Sequence, residues 1–195
     1  EFYNKKANEK IIPLRSTITA IKDKSGKITH FLGQYIDIGE QKDKEKVLEY
    51  QATHDNLTGL PNRLLLLDRI EHAITKIVRH KIVGGLIFID LDNFKEVNDT
   101  LGHDIGDALL IMVAKKIKEV IREEDTIARI GGDEFVVLIP HLERAEDVYP
   151  IIQKIIIAFS EAYIVRNQSL MCTASIGLAV FPSGGSTFAS LIRNA

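Results

Sequence analysis

Hydrophobic positions change their spacing several times along this chain, and each change marks an element. Ile11 to Ile21 and Ile28 to Ile38 are β-forming runs on either side of a Lys24-Ser25-Gly26-Lys27 turn, so residues 10–38 predict a hairpin. A hairpin alone is marginal, which makes it the tail of a larger sheet. Glu40 to Ala52 is charged, lacks Gly and Pro, and sets Val47 and Tyr50 at helical spacing. It predicts a connecting helix with too few apolar positions for a coiled coil. A polar turn, His54-Asp55-Asn56-Leu57-Thr58-Gly59-Leu60-Pro61-Asn62-Arg63, opens the second region.

Beyond that turn the spacing predicts a helix with Leu67, Ile70, Ile74 and Ile77 on one face, then a buried strand over 86–91. A helix over about 106–122 uses Leu109, Val113, Ile117 and Val120, and a hairpin over 126–139 follows. Next come a helix through Val148, Ile152, Ile155 and Phe159 and a strand over 170–181. In that strand Leu170, Cys172, Ala174, Ile176, Leu178 and Val180 share a face. Helices interleaved with strands, one pair a true hairpin, predict an α/β (α+β) sandwich of the split-βαβ kind.

Composition narrows the function classes. At 195 residues and 45% hydrophobic the chain can bury a full core plus part of a second domain. A net charge of −2 with mixed signs lacks the basic stripe of a nucleic-acid binder. Cys172 is the single cysteine, so no internal disulfide forms and a reducing, cytoplasmic setting is expected. No apolar run would span a bilayer and no signal peptide is visible. The first residue is not Met and the last residues open a new helix, so we expect a piece of a longer protein, whose own membrane anchoring stays open.

Candidate chemistry gathers at two places. Gly131-Gly132 between the apolar runs 127–130 and 135–139 predicts a tight turn that holds Asp133 and Glu134 at its tip. The strand Leu86-Ile87-Phe88-Ile89 ends in Asp90-Leu91-Asp92. If strand and hairpin pair, Asp90, Asp133 and Glu134 meet at one sheet end, a set of hard oxygen ligands suited to Mg²⁺ and a polyphosphate. Between strand and helix, the polar run Asp90 to Asp107 carries Asn98 and Asp107, which together match a guanine edge, and Lys95, which suits a phosphate.

Asp55 to Arg63, Asp90 to Asp107 and Gly131 to Phe135 stand in the order and spacing of the GGDEF family, the diguanylate cyclases, and residues 50–195 resemble it. Residues 1–40, ending Tyr35-Ile36-Asp37-Ile38-Gly39-Glu40, resemble more weakly the last strands of a PAS sensor domain. The resemblance implies a ferredoxin-like, nucleotide-cyclase-type fold at 54–195, a signalling helix at 41–53 and the partial sensor at 1–40. It implies synthesis of cyclic di-GMP from two GTP, one per protomer of a homodimer. Asp90, the Leu91 carbonyl, Asp133 and Glu134 would hold Mg²⁺ (or Mn²⁺), and Asp133 would help deprotonate the ribose 3′-hydroxyl. Asn98 and Asp107 would read guanine, His103 would line the site, and Lys95 would meet phosphates. Arg122 and Asp125 stand at the family's Arg-x-x-Asp product-inhibition site for cyclic di-GMP. The family's Tyr-x-Ala-Lys helix, which helps hold the triphosphate, has no counterpart in this sequence, so poor GTP binding or absent turnover of this chain stays open.

Plainer roles stand beside these. Asp133 and Glu134 could be a solvated hairpin tip, Asp90 or Asp92 a helix N-cap, and Arg122 with Asp125 a surface ion pair of little energy. His30, His54, His72, His80 and His141 lack ligand spacing and read as surface residues. The rival functions are a non-catalytic GTP- or cyclic di-GMP-sensing module, for instance beside a phosphodiesterase domain, and a purely structural dimerisation module.

Overall fold

A computed structural model describes residues 2–5, 11–80, 82–166, 168–185 and 187–194. The chain divides into two compact units, Glu1–Gln51 and Ala52–Ala195. In the first, strands β1 (Phe2–Lys5), β2 (Ile11–Lys22) and β3 (Ile28–Asp37) form an antiparallel sheet in that order. Residues 6–10, inside the sensor-like stretch, lie outside the described residues. The β2–β3 turn forms where expected: Asp23 accepts hydrogen bonds from the Ser25 and Lys27 amides at 2.8 and 3.0 Å, and Gly26 takes a φ of +85°. The helix predicted over 40–52 is α1 (Gly39–Thr53), which buries none of its side chains.

The second unit carries α2 (Arg63–His80), β4 (Val83–Leu91), α3 (Phe94–Leu101), α4 (His103–Val120), β5 (Thr126–Gly131), β6 (Glu134–Leu142), α5 (Tyr149–Phe159), β7 (Tyr163–Val165), β8 (Gln168–Leu170), β9 (Ala174–Phe181) and α6 (Phe188–Asn194). Its main sheet has the order β5-β6-β4-β9, and every neighbouring pair is antiparallel. This is the α/β sandwich of split-βαβ type that the alternation of elements predicts. The central strands are continuous apolar runs because both their faces are covered. Ile87, Ile89, Phe135 and Val137 pack with Leu109, Val113, Ile117 and Ile155 under α4 and α5. Leu86, Val136 and Leu138 pack with Leu66, Ile70, Ile77 and Phe181 under α2. Each such side chain contributes about 1.5–3 kcal/mol by leaving water. Among the described residues no helix is long and apolar enough to cross a membrane.

Three expectations need correction, and one stretch gains structure. The polar run between Asp90 and Asp107, expected only as a stretch between strand and helix, carries a helix of its own. Phe94, Val97 and Leu101 have helical spacing with no Gly or Pro between them, and they build α3, with Gly102 (φ +89°) as the break before α4. The α2 stripe is Leu66, Ile70, Ala73 and Ile77, one position earlier than expected at two of its four places, with Leu67 and Ile74 only half-buried. The strand predicted over 170–181 is two pieces: β8 pairs with β7 in a small hairpin at Arg166 (φ +47°), and β9 begins at Ala174. The shared face itself holds: Leu170, Cys172, Ala174, Ile176 and Leu178 pack in one cluster, while Ala179 and Phe181 are buried on the other face, because this strand too is covered on both sides. Finally, neither Asp90 nor Asp92 caps α3. Asn93 takes the N-cap position in the left-handed region, and Asp92 instead accepts the Thr173 and Ser175 hydroxyls at 2.6 and 2.7 Å.

Candidate active site

Pairing of β4 with β6 puts Asp90 directly opposite Glu134. Residues two apart share a sheet face, so Asp90 follows Phe88 and Glu134 precedes Val136 on the α2 side. Both acids line one cleft of about 490 Å³ together with Arg63, Phe88, Ser175 and Ile192. The Gly131-Gly132 turn brings Asp133 to the same end, where its carbonyl accepts the Leu91 amide at 3.4 Å. The turn favours glycine at Gly132, since its φ is +47°. Asp90 and the glycine-turn acids therefore converge, as the pairing of strand and hairpin requires.

The electrostatics match this crowding. Burial, then the neighbouring charges of Asp133 and Asp92, push the Asp90 carboxyl above the ordinary carboxylate range. Asp92 is held below it by the Thr173 and Ser175 hydroxyls. Among the described residues no cation pairs with Asp90, and no group of three or more His, Cys, Asp or Glu side chains is arranged to hold a metal on its own. Asp90 and Asp133 thus supply hard oxygen ligands at one place.

The remaining expected ligand-reading residues sit on the helix pair over the opposite sheet face. Lys95 and Asn98 belong to α3, His103 and Asp107 to α4, and none of the four lines the cleft of Asp90 and Glu134. Asn98 packs against Gly106, so closely that a Cβ there would lie 3.0 Å from its Cγ. That contact places Asn98 beside the residue preceding Asp107. Lys95, His103 and Asp107 are exposed.

Arg122 and Asp125 line a separate cavity of about 430 Å³ with His141 and Lys154. They do not form the simple surface ion pair offered as the plain reading. Asp125 is buried and accepts the Arg122 backbone amide at 3.0 Å, while the Arg122 guanidinium meets Glu124 at 3.5 Å. Burial pushes the Asp125 carboxyl up, against the pull of that amide and of the Arg122 charge. His30, His72, His80 and His141 are exposed, but His54 is half-buried with Nδ1 3.0 Å from Thr53 Oγ1.

Two residues escaped the sequence reading. Arg63, at the start of α2, lines the acidic cleft with its guanidinium 5.9 Å from the Phe188 ring centre. Arg129 joins the glycine turn to Asp55, 74 positions earlier. Arg63 closes the Asp55-to-Arg63 motif without a role read for it, and no local signal marks Arg129, whose partner is known only from the fold.

An antiparallel split-βαβ sandwich with acids crowded at one sheet end and a polar helix pair over the opposite face defines the class of α/β sandwich domain. Residues 52–195 match the family described as diguanylate cyclase, GGDEF domain, and the chain belongs to that family. It is 47% identical over 144 residues to the bifunctional diguanylate cyclase/cyclic di-GMP phosphodiesterase MucR of Pseudomonas aeruginosa, covering 74% of this chain and 21% of MucR. It is 38% identical over 155 residues to the diguanylate cyclase TpbB of the same organism, covering 79% of this chain and 36% of TpbB. The chain thus spans about a third or less of the length of these relatives. The solved GGDEF domain of TpbB superposes with a TM-score of 0.69 at 37% identity, over 72% of this chain and 82% of that one. The coiled coil and GGDEF domain of DgcB from Caulobacter crescentus, solved with c-di-GMP, gives 0.71 at 27% identity, over 80% and 83%.

Proposed function

We propose that the 52–195 unit condenses two GTP into cyclic di-GMP and pyrophosphate, one GTP on each protomer of a dimer. The observation that carries this reading is the convergence of Asp90, Asp133 and Glu134 at one sheet end, in a chain whose relatives include a diguanylate cyclase. Asp90, the Leu91 carbonyl and Asp133, with Glu134 beside them, would hold Mg²⁺ or Mn²⁺, which when bound neutralises charge on the α-phosphate and the leaving pyrophosphate. Asn98 and Asp107 accept and donate along the guanine edge, His103 borders the base and Lys95 attracts phosphate. Asp133 takes the proton of the ribose 3′-hydroxyl. The freed 3′-oxygen then bonds the partner nucleotide's α-phosphorus as its bond to the bridging oxygen breaks. Repeated in the other direction, the step closes the ring and releases a second pyrophosphate. Arg122 and Asp125 would bind the product and slow the reaction. The likeness to MucR, which carries both activities, favours as second reading a regulatory GGDEF unit beside a phosphodiesterase domain.

Incubation of the chain with GTP and Mg²⁺, followed by chromatography, tests the reading. Cyclic di-GMP should accumulate, and Asp133→Asn should abolish it while the fold persists. Tight GTP binding without product would instead support the regulatory reading.

A further inference from the structure

The ladder between β5 and β6 breaks register between Arg129 and Gly131. Past that break Gly131 still pairs with Glu134 and the Leu91 amide donates to the Asp133 carbonyl, and one side chain ties the acid-bearing turn to the 54–62 turn. Arg129 Nε donates to the Gly132 carbonyl at 2.8 Å, and Nη1 reaches both Asp55 oxygens at 3.0 Å. The Arg129 and Asp55 side chains are only 13% and 22% exposed, so water screens the pair weakly. Asp55 is itself locked: Thr58 donates to it from amide and hydroxyl at 2.8 and 2.6 Å, and its own amide donates to the Leu60 carbonyl at 2.8 Å. The Arg129 amide donates to Pro61 at 3.0 Å, and Asn62 bonds the Thr53 and Ala52 carbonyls at 2.9 and 2.8 Å. A continuous chain of hydrogen bonds therefore runs from the last turn of α1, through the 54–62 turn, to the residue before Asp133.

We propose that Arg129 is a positioning residue: its guanidinium fixes the Gly131-Gly132 turn against Asp55 and so holds Asp133 and Glu134 in register with Asp90. The proposal deepens the cyclase reading and rests on it for its kinetic consequence alone. Arginine suits the post because Nε and Nη1 are separate donors in a rigid fork, one aimed at a carbonyl and the other at a carboxylate. A lysine ammonium at the same place keeps the charge opposite Asp55 but cannot hold both partners in that geometry.

Arg129→Lys and the milder Asp55→Asn, made in the whole chain, test this by two readouts. The first is amide hydrogen exchange at Gly132, Asp133 and Glu134 against core amides of β4. The second is kcat and KM for GTP with Mg²⁺. In Arg129→Lys, exchange at the turn should rise about tenfold or more while core amides stay protected, as expected for local opening. Its kcat should fall by about 10- to 100-fold with KM within about threefold, since misplacing a reacting group by an ångström costs that much. Asp55→Asn should move the same amides and kcat less far. Turn protection and kcat at wild-type levels in Arg129→Lys would make Arg129 a mere counter-ion and overturn the proposal. If the wild-type chain makes no cyclic di-GMP, the cyclase reading fails, and the exchange measurement still decides for or against the clamp.

Discussion

Gly106→Ala tests whether the contact between α3 and α4 sets the guanine-reading side chain. Gly106 lies inside α4 and is buried, so an alanine backbone fits there and gains about 1 kcal/mol of helix propensity. Its Cβ, however, would lie 3.0 Å from Asn98 Cγ and 3.2 Å from Phe94 Cζ, with Asn98 Oδ1 closer still. Overpacking of this kind costs about 1–3 kcal/mol. The two effects leave a net loss of at most about 2 kcal/mol, so the variant should fold. Phe94 is 8% exposed and wedged in the core, whereas Asn98 is half-buried, so Asn98 is the side chain that yields. On the proposed cyclase reading, turning it away removes its hydrogen bonds to guanine. A site left with unpaired polar groups loses about 1–3 kcal/mol, which is about 5- to 150-fold in GTP affinity. Urea denaturation gives the stability change, and calorimetric titration with a non-hydrolysable GTP analogue and Mg²⁺ gives the affinity. Wild-type affinity in Gly106→Ala, in a protein where Asn98→Ala loses it, would refute the reasoning.

Other predictions follow from single environments. Burial raises the Asp55 carboxyl, but the Thr58 hydrogen bonds and Arg129 outweigh it, so the folded-state pKa lies below the ordinary value. The stabilisation is therefore present above about pH 4, where the unfolded group ionises, and is lost as pH falls through the depressed folded value. Urea midpoints of wild type and Asp55→Asn should accordingly converge on acidification; a constant gap would contradict the assignment. Cys172 is 3% exposed, and burial, reinforced by the Asp92 and Asp133 charges, pushes its thiol up to about 11. Iodoacetamide should leave it unmodified in the native protein and label it in urea, and rapid native labelling would show an open site. Arg122→Ala should weaken inhibition by cyclic di-GMP by about tenfold or more, the loss of a charge-assisted hydrogen bond, with initial rates little changed. Unchanged inhibition would remove the product-site reading.

Legibility differed sharply between elements. Leu86 to Ile89 and Phe135 to Ile139 announce buried strands because covered faces on both sides demand apolar residues at every position. Gly131-Gly132 announces its turn because few other residues tolerate the left-handed region that Gly132 occupies. By contrast, β7 and β8 have three residues each, too short for a period to show, and α3 was hidden by its polar surface. The candidate site divides in the same way. Asp90, Asp133, Asn98 and Asp107 are candidates from motif spacing, while Arg129 has meaning only through Asp55, far off in the chain.

Residue types and local spacing alone determined which segments become strands or helices, where the glycine turn falls and which acids stand at strand ends, because each depends on backbone sterics and on neighbours within a few positions. Only the tertiary structure decided that Asp90 faces Glu134, that Asp92 ties β4 to β9 and that Asp55 meets Arg129. Register across a sheet is set by the packing of both its faces at once, and a shift of one residue would send each of these side chains to the other side.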